Sequence, residues 1–343
     1  MSRGPVFGQP RFLAGPQSPT ADLYLGFSLA GAIAAGRVRR LASTVFLAGD
    51  ALIVMRHLAG LGLLPRYSRL IYLIDDDIPA GLRDRALPRA YRAKLAALEL
   101  PAFLRCGAAA EAVVATSPAL VAQWRARHPG RTVIGTAPAW PVAEMPVPRP
   151  AVPLRRIALI MGRSHARDAA PLWAPLLALL DRRPALGLTV SGNLDLPAPV
   201  RSHPRVDILP ARGWDDYLGW LRTARADIGL VPHFASRDFN AVRSGSKLGE
   251  YAMTGAAVLG AEAWAEGRAA AAAGRCLALP PDPAAWVAAI ERLAEAPDEA
   301  RALAARNRSA LITEDACGRQ QRLWSDLLGM DLMDLRGVPA EPG

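Results

Sequence analysis

The chain has 343 residues, of which 51% are hydrophobic and 21% are charged. That length predicts two domains and excludes both one domain and three, and the apolar content is enough for two cores. The three cysteines, Cys106, Cys276 and Cys317, have neither metal-site spacing nor an even number for disulfides, which predicts a reducing compartment.

The N-terminal segment has no long apolar core, so no signal peptide is predicted. No run approaches about eighteen uninterrupted apolar residues, so no transmembrane helix is predicted either. The expected location is therefore the cytoplasm, with peripheral contact with the inner face of the cell membrane as an option.

The net charge of +10 lies almost entirely in the first half of the chain. Residues 1–150 contain 18 basic and 9 acidic side chains, against 23 and 22 in the remainder. A basic face on one domain suits an anionic partner such as a membrane surface, a lipid diphosphate or a nucleic acid. An arginine-rich composition of genomic origin would explain the same excess.

Helices and short apolar strands alternate through residues 1–150, which predicts a parallel α/β sheet in an N-terminal domain. The predicted helices are 21–35, 51–64, 87–100 and 117–127, and the predicted strands are 70–74, 112–116 and 132–134. Ser117 is expected to cap its helix, with Pro118 in the first helical position.

Three consecutive carboxylates, Asp75, Asp76 and Asp77, follow the predicted strand 70–74. In doubly wound sheets the carboxyl ends of the strands carry the chemistry. These residues could hold Mn²⁺ or Mg²⁺, act as a catalytic or acceptor-orienting carboxylate, or form a solvated turn that caps the next helix. Crowded carboxylates raise one another's pKa, which suits a base, and the second interpretation is preferred.

Residues 137–153 are dense in proline, which favours a stiff, extended linker between two domains. The boundary is placed near residue 150, with a C-terminal domain at 154–330 and a polar tail at 331–343. The second domain is predicted to begin with strand 156–161, followed by strands 188–191, 206–209, 227–231, 256–259 and 276–279. Helices are predicted from residue 169, at 214–224, from Ser244 or Ser246 to Gly255, and at 262–273, 283–296, 298–312 and 314–328.

Two stretches of this domain are predicted to face phosphate groups. Gly162 ends the first strand, and Arg163 and Arg167 open the next helix. Lys247 is one of only two lysines, against thirty-nine arginines, and lies in the first turn of its helix. A cation there opposes the helix dipole by ~0.3–1 kcal/mol unless an anion offsets it, so Lys247 is interpreted as a charge for a phosphate group.

Glu250 lies one helical turn after Lys247, within reach of ribose hydroxyls. A capping box would need Glu or Gln three residues after Ser244 or Ser246, and neither serine meets that requirement. A solvated Lys–Glu pair is the remaining alternative.

The motif N-x-x-x-S-x-x-K-x-x-E-Y-x-x-x-G-x-x-V resembles the donor-sugar motif of GT-B glycosyltransferases of the bacterial group 1, or family 4-like, polysaccharide type. Its residues here are Asn240, Ser244, Lys247, Glu250, Tyr251, Gly255 and Val258. The resemblance covers residues 156–262 well and 70–130 more loosely. It implies that Glu250 binds the nucleotide ribose and that Lys247 lies near the diphosphate. Many members carry a further glutamate facing the donor sugar, where this chain has Val242.

The resemblance implies an α/β fold of two Rossmann-like, doubly wound domains facing a cleft, with a terminal helix that braces the first domain through Trp324. It implies a hexosyltransferase-like enzyme that moves a sugar from a nucleotide diphosphate sugar to a cell-surface polysaccharide or glycolipid acceptor. Neither a cofactor nor a bound metal is expected. The expected donor residues are Gly162, Arg163, Arg167, Asn240, Ser244, Ser246, Lys247 and Glu250, and the expected catalytic residues are Asp75, Asp76 and Asp77.

The alternative function is a catalytically silent GT-B-like protein that binds nucleotide sugars. A nucleic-acid partner is not expected, because the basic first domain lacks interleaved aromatic residues. Arg85, Arg89 and Arg92 are predicted to share a helical face that could lie on an anionic membrane. The five histidines are isolated in the sequence and are predicted to be structural or surface residues.

Overall fold

The computed structural model describes residues 18–141, 154–235 and 237–332. Its contacts divide the chain into two compact units. The first consists of Met1–Arg83, Arg92–Trp140 and Asp315–Gly343, and the second of Asp84–Tyr91 and Pro141–Glu314. The described residues form two six-stranded sheets, one in each unit.

The first unit has a mixed sheet whose strands lie in sequence order. The strands are β1 Val38–Ala42, β2 Val45–Ala48, β3 Ala51–Met55, β4 Arg69–Ile74, β5 Ala112–Ala115 and β6 Thr132–Gly135. The first two pairings are antiparallel and the other three are parallel. The helices are α1 Pro19–Ala21, α2 Ala30–Ala34, α3 Ile78–Arg83, α4 Arg89–Lys94, α5 Leu100–Ala109 and α6 Pro118–Arg127, with π-helical turns at Asp22–Gly26 and Leu95–Glu99. As predicted, Ser117 caps α6 through a bond from the Leu120 N–H, and Pro118 follows it.

The helix predicted at residues 51–64 is wrong. Its first five residues form β3, which is buried throughout between β2 and β4. The periodicity of a short, wholly apolar run does not distinguish a buried strand from a buried helix. This segment is a strand because it pairs with a neighbouring strand on each side. Arg56 then leaves the strand with φ of 60°, in the left-handed region.

The second unit has a sheet in which all the pairings are parallel. Its strands are β7 Arg156–Leu159, β8 Gly187–Ser191, β9 Val206–Leu209, β10 Ile228–Val231, β11 Ala257–Ala261 and β12 Cys276–Leu279. The helices are α7 Ala166–Ala169, α8 Trp173–Arg182, α9 Ala198–Ser202, α10 Trp214–Thr223, α11 Arg237–Ala241, α12 Ser246–Thr254, α13 Ala265–Ala272, α14 Pro283–Glu295 and α15 Pro297–Glu314. Short 3₁₀ turns lie at Arg163–His165 and Ala170–Leu172.

The central strands of this sheet, β7, β10 and β11, are buried, and alternate residues of each enter different cores. On β7, Ile157 and Leu159 pack in a core with α8 and α14, whereas Ala158 and the following Ile160 pack with α12 and α13. Strands covered on both faces form continuous apolar runs in the sequence, and the sequence predicted these three segments as strands.

The last helix, α16 (Ala316–Leu328), belongs to the first unit, although the sequence placed its residues in the C-terminal domain. Gln320 explains the difference, because its amide donates to the carbonyls of Leu23, at 2.9 Å, and Ala137, at 2.6 Å. The Trp324 indole donates to the Tyr24 carbonyl at 3.0 Å.

Parts of two sequence predictions lie outside the described residues. They are positions 142–153 of the proline-rich linker and positions 333–343 of the tail. Within the described ranges, no helix has the length and apolar character needed to cross a membrane.

Candidate functional site

The strand order of the second sheet, β12-β11-β10-β7-β8-β9, reverses between β10 and β7. These neighbours are parallel, with Ile228 opposite Ile157, so their carboxyl ends meet at one edge. Doubly wound sheets bind ligands outside the carboxyl ends of the strands at such a topological switch point. The residues that follow β7 and β10 therefore define the candidate site.

Helix α12 is fixed to this edge by Tyr251. Its hydroxyl accepts from the Ile160 N–H at 3.1 Å and lies 2.9 Å from the Leu230 carbonyl, to which it donates. The aromatic ring covers Gly229, where a Cβ would come within 2.4 Å of it. The helix ends at Gly255, as the sequence predicted, and the φ of 80° at this glycine forms a left-handed C-cap.

Lys247 lies at the carboxyl end of β7. Its ammonium group donates to the Ile160 carbonyl at 2.6 Å and forms an ion pair with Glu250. The two side chains are 26% and 9% exposed, so this is not the solvated pair considered as an alternative. An ammonium group has three N–H donors, and the described residues accept two of them.

Glu250 is held on its other carboxylate oxygen by Tyr217 of α10, whose hydroxyl donates to it. Burial, followed by the charge of Glu250, raises the pKa of Tyr217 well above its usual value, so the tyrosine stays a donor. Sequence reasoning missed Tyr217. The only available signal was its position near the start of the helix preceding β10.

The loop after β7 carries the other predicted phosphate contacts. Gly162 is extended, Arg163 is exposed in the 3₁₀ turn, and Arg167 lies on α7. The Arg167 guanidinium donates to the Arg85 carbonyl at 3.0 Å, within the second unit. Ser244 precedes α12, and Ser246 is its first residue.

Asp168 is the centre of a buried polar cluster that the sequence did not predict. Its carboxylate is 3.0 Å from His165 Nδ1 and accepts from Asn240 Nδ2 at 2.9 Å and from the Ala235 N–H at 2.8 Å. Burial acts to raise the pKa of Asp168, but His165, His233 and the Ala235 N–H lower it to about 2. The motif residue Asn240 is therefore bound to α7, the first helix after β7.

His233, two residues past β10, stacks on His165 with ring centroids 5.5 Å apart. Burial lowers the pKa of both imidazoles, that of His233 to about 3, so both rings are neutral near pH 7. Sequence reasoning missed both residues, and their only signal was that each closely follows a strand of the switch point.

In the first unit, Arg56 and the three predicted aspartates lie just past the ends of β3 and β4. Arg56 is 3.1 Å from Asp75, 3.0 Å from Asp76 and 2.6 Å from Glu99. Asp76 is fully buried and Asp75 is 8% exposed.

Asp77 caps α3, because its side chain accepts from the Ala80 N–H at 2.9 Å. The helix-cap interpretation thus describes Asp77, and a catalytic role for the three aspartates stays a prediction. No group of three His, Cys, Asp or Glu side chains is arranged to hold a metal in the part of the chain that the structure describes.

The sequence matches no protein-family model and no curated protein. The fold is similar to that of TarM, with a TM-score of 0.56 and 8% identity over 76% of this chain and 50% of TarM. It is also similar to sucrose-phosphate synthase from Thermosynechococcus elongatus, with a TM-score of 0.54 and 15% identity over 77% of this chain and 69% of that one. WaaG, a glycosyltransferase involved in lipopolysaccharide biosynthesis, gives a TM-score of 0.54 and 14% identity over 76% and 78%.

These three structures are GT-B glycosyltransferases, and the predicted two-domain, Rossmann-like α/β fold is confirmed. The chain spans about half the length of TarM.

Proposed function

We propose that this chain is a glycosyltransferase that moves a sugar from a nucleotide diphosphate sugar to an acceptor hydroxyl. The observation that carries the proposal is the position of Lys247, whose ammonium group is bound to the carboxyl end of β7 beside the switch point. The GT-B fold supports it, as does a TarM structure from S. aureus that contains UDP and alpha-GlcNAc-glycerol, with a TM-score of 0.55 and 8% identity.

In this proposal Lys247 and the exposed Arg163 neutralise the leaving diphosphate, and the first N–H groups of α12 add hydrogen-bond donors. Glu250 accepts from the ribose hydroxyls. Both of its oxygens already have a donor here, but each carboxylate oxygen can accept more than one hydrogen bond.

Asp75 is proposed to orient or deprotonate the acceptor hydroxyl. It is the choice among the three aspartates because Asp76 is fully buried and Asp77 caps α3. Lys247 and Arg163 already supply positive charge for the diphosphate, so transfer is proposed to need no metal. Transfer should therefore persist in EDTA. Activity that vanishes in EDTA, returns with Mn²⁺ and is lost in Asp75→Asn would contradict this.

The acceptor is proposed to be a cell-surface polysaccharide or a glycolipid. The motif resemblance supports this acceptor class, and WaaG belongs to lipopolysaccharide biosynthesis by its name. The exposed basic residues Arg85 and Arg89 are proposed to bring the enzyme to the cytoplasmic face of an anionic membrane, where a lipid-linked acceptor lies.

Calorimetric titration with UDP, GDP and ADP, and with their sugar conjugates, tests the donor site. The wild type should bind one nucleotide family, and Lys247→Ala should weaken diphosphate binding by about tenfold or more, since charge-assisted bonds contribute ~1.5–3 kcal/mol. Lys94→Ala is the matched control, because Lys94 is the only other lysine and lies in the first unit. Release of the sugar or its transfer distinguishes an enzyme from a silent binding protein, and a folded sample that binds no nucleotide would contradict the proposal.

A further inference from the structure

The two histidines at the switch point lie beside buried polar atoms that lack hydrogen-bond partners in the described part of the chain. His233 is 5% exposed, yet its Nδ1 has no hydrogen-bond partner among the described residues. The same is true of Oδ1 of the fully buried Asn240. Buried polar groups almost always find partners, and a protonated His233 Nδ1 is a donor that a phosphate oxygen can accept, so this nitrogen indicates a place for an anionic ligand.

His165 is arranged to take up a proton. Its Nδ1 faces the Asp168 carboxylate at 3.0 Å. That carboxylate is held ionised by the Asn240 amide and the Ala235 N–H as well, so Nδ1 carries the hydrogen and Nε2 is the basic nitrogen. An imidazolium at this position would keep its bond to Asp168, which stabilises the added charge.

Three charged groups face the pair. They are Asp168 on α7, Arg243 between α11 and α12, and Lys247 on α12. Lys247 is paired with Glu250, and the charge of Arg243 offsets that of Asp168. The diphosphate of a nucleotide sugar carries two negative charges, so its arrival would favour a protonated imidazole over a neutral one.

We infer that binding of a nucleotide sugar at this switch point is accompanied by the uptake of one proton by the His165–His233 pair. The proton comes from the buffer and adds to an imidazole nitrogen, which then donates to a phosphate oxygen. The inference rests on the proposed function, because it assigns the diphosphate to this edge of the sheet. It makes donor binding dependent on pH in a way that Lys247 and Arg163 alone do not.

Burial lowers the pKa of both imidazoles in the unliganded protein, and a bound anion raises the pKa of the ring that it contacts. Between these two pKa values, binding favours the protonated form, so affinity falls as pH rises. The dissociation constant should increase by up to tenfold per pH unit between the lowered pKa of the free protein and the raised pKa of the complex.

The test is calorimetric titration of the wild type with UDP-glucose, GDP-mannose or ADP-glucose, in buffers of different ionisation enthalpy at about pH 7. A nucleotide sugar is the right probe, because a terminal phosphate has a pKa near 6 and would contribute protons of its own. The slope of the observed enthalpy against the buffer enthalpy gives the number of protons, which we expect to be close to one.

His165→Gln and His233→Gln together should bring proton uptake to zero and flatten the pH dependence of the dissociation constant. His203→Gln is the control, because His203 also forms a His–Asp pair in the second unit, with Asp181 at 3.3 Å. Binding without proton uptake in the wild type, or uptake that persists in the double variant, would overturn this inference alone. Failure to bind any nucleotide sugar would overturn the proposed function with it.

Discussion

Tyr217 of α10 donates its hydroxyl hydrogen bond to Glu250 of α12, and so fixes the carboxylate proposed to bind ribose. The other oxygen of the same carboxylate forms an ion pair with Lys247. Glu250 is therefore held from two helices before any ligand arrives. Such a contact positions a binding group without touching the ligand itself.

Replacing Tyr217 by Phe should loosen Glu250 while keeping the aromatic packing with Trp214 and Trp220. A hydrogen bond to a charged group contributes ~1.5–3 kcal/mol, so nucleotide affinity should fall about tenfold. The loss should be smaller for a 2′-deoxynucleotide, which lacks one of the hydroxyls that Glu250 would bind. Calorimetric titration with a nucleotide and with its 2′-deoxy form measures both losses of affinity. Thr223→Ala, an exposed change on the same helix, is the control. Equal losses for the two nucleotides would count against ribose binding by Glu250.

Gly229 of β10 and Gly219 of α10 form a matched pair for a stability test. A Cβ on Gly229 would lie within 2.4 Å of the Tyr251 ring, whereas one on Gly219 would meet nothing within 4 Å. Gly229→Ala should destabilise the protein by ~1–3 kcal/mol through overpacking. Gly219→Ala should stabilise it by ~0.5–1 kcal/mol, because alanine is the better helix former. Thermal unfolding of both variants measures whether each change lowers or raises the stability of the protein. An unchanged unfolding midpoint for Gly229→Ala would contradict the close packing of Tyr251 on β10.

The sequence predicted the second unit better than the first because its motif carries its own helix signals. Gly255 marked the end of α12, and the apolar runs at β7 and β11 were long enough to be recognised as strands. In the first unit, β1 and β2 were not predicted and β3 was taken for a helix. Their short runs fit either structure, and only the pairing of neighbouring strands settles the choice.

Contacts between distant residues account for what was missed at the site. The fold brings Asp168 within hydrogen-bond distance of Asn240. His165 stacks on His233 only because β7 and β10 are neighbours in the sheet. Single-residue signals identified Lys247 and Glu250, but nothing local in the sequence pairs the two histidines. The same reason explains why Arg56 was not linked to Asp75 before the structure was known.

Arg56 should be critical for the stability of the first unit. It is the guanidinium shared by Asp75, Asp76 and Glu99, two of which are fully buried. Removing one partner from a buried ionic cluster leaves uncompensated charge, so Arg56→Gln should destabilise the protein by ~3–5 kcal/mol.

Urea unfolding of Arg56→Gln and of the wild type measures this difference in stability. Arg66→Gln is the control, since Arg66 is exposed in the same unit. A variant as stable as the wild type would show that this cluster is not structural.

The proposed membrane contact depends on Arg85, Arg89 and Arg92, whose placement differs from the prediction. Helix α4 begins at Arg89, so Arg85 lies before it and does not share its face, although both Arg85 and Arg89 are exposed.

Each basic residue near an anionic surface contributes ~1 kcal/mol, and the attraction is screened over roughly 8 Å at physiological ionic strength. The protein should therefore sediment with vesicles of anionic lipid at low salt and be released at high salt. Changing the three arginines to Glu should abolish sedimentation, whereas the same change at the exposed Arg201, Arg212 and Arg225 should not. Loss of sedimentation in both triple variants would point to net charge alone, and a wild type that stays in the supernatant at low salt would exclude the membrane contact.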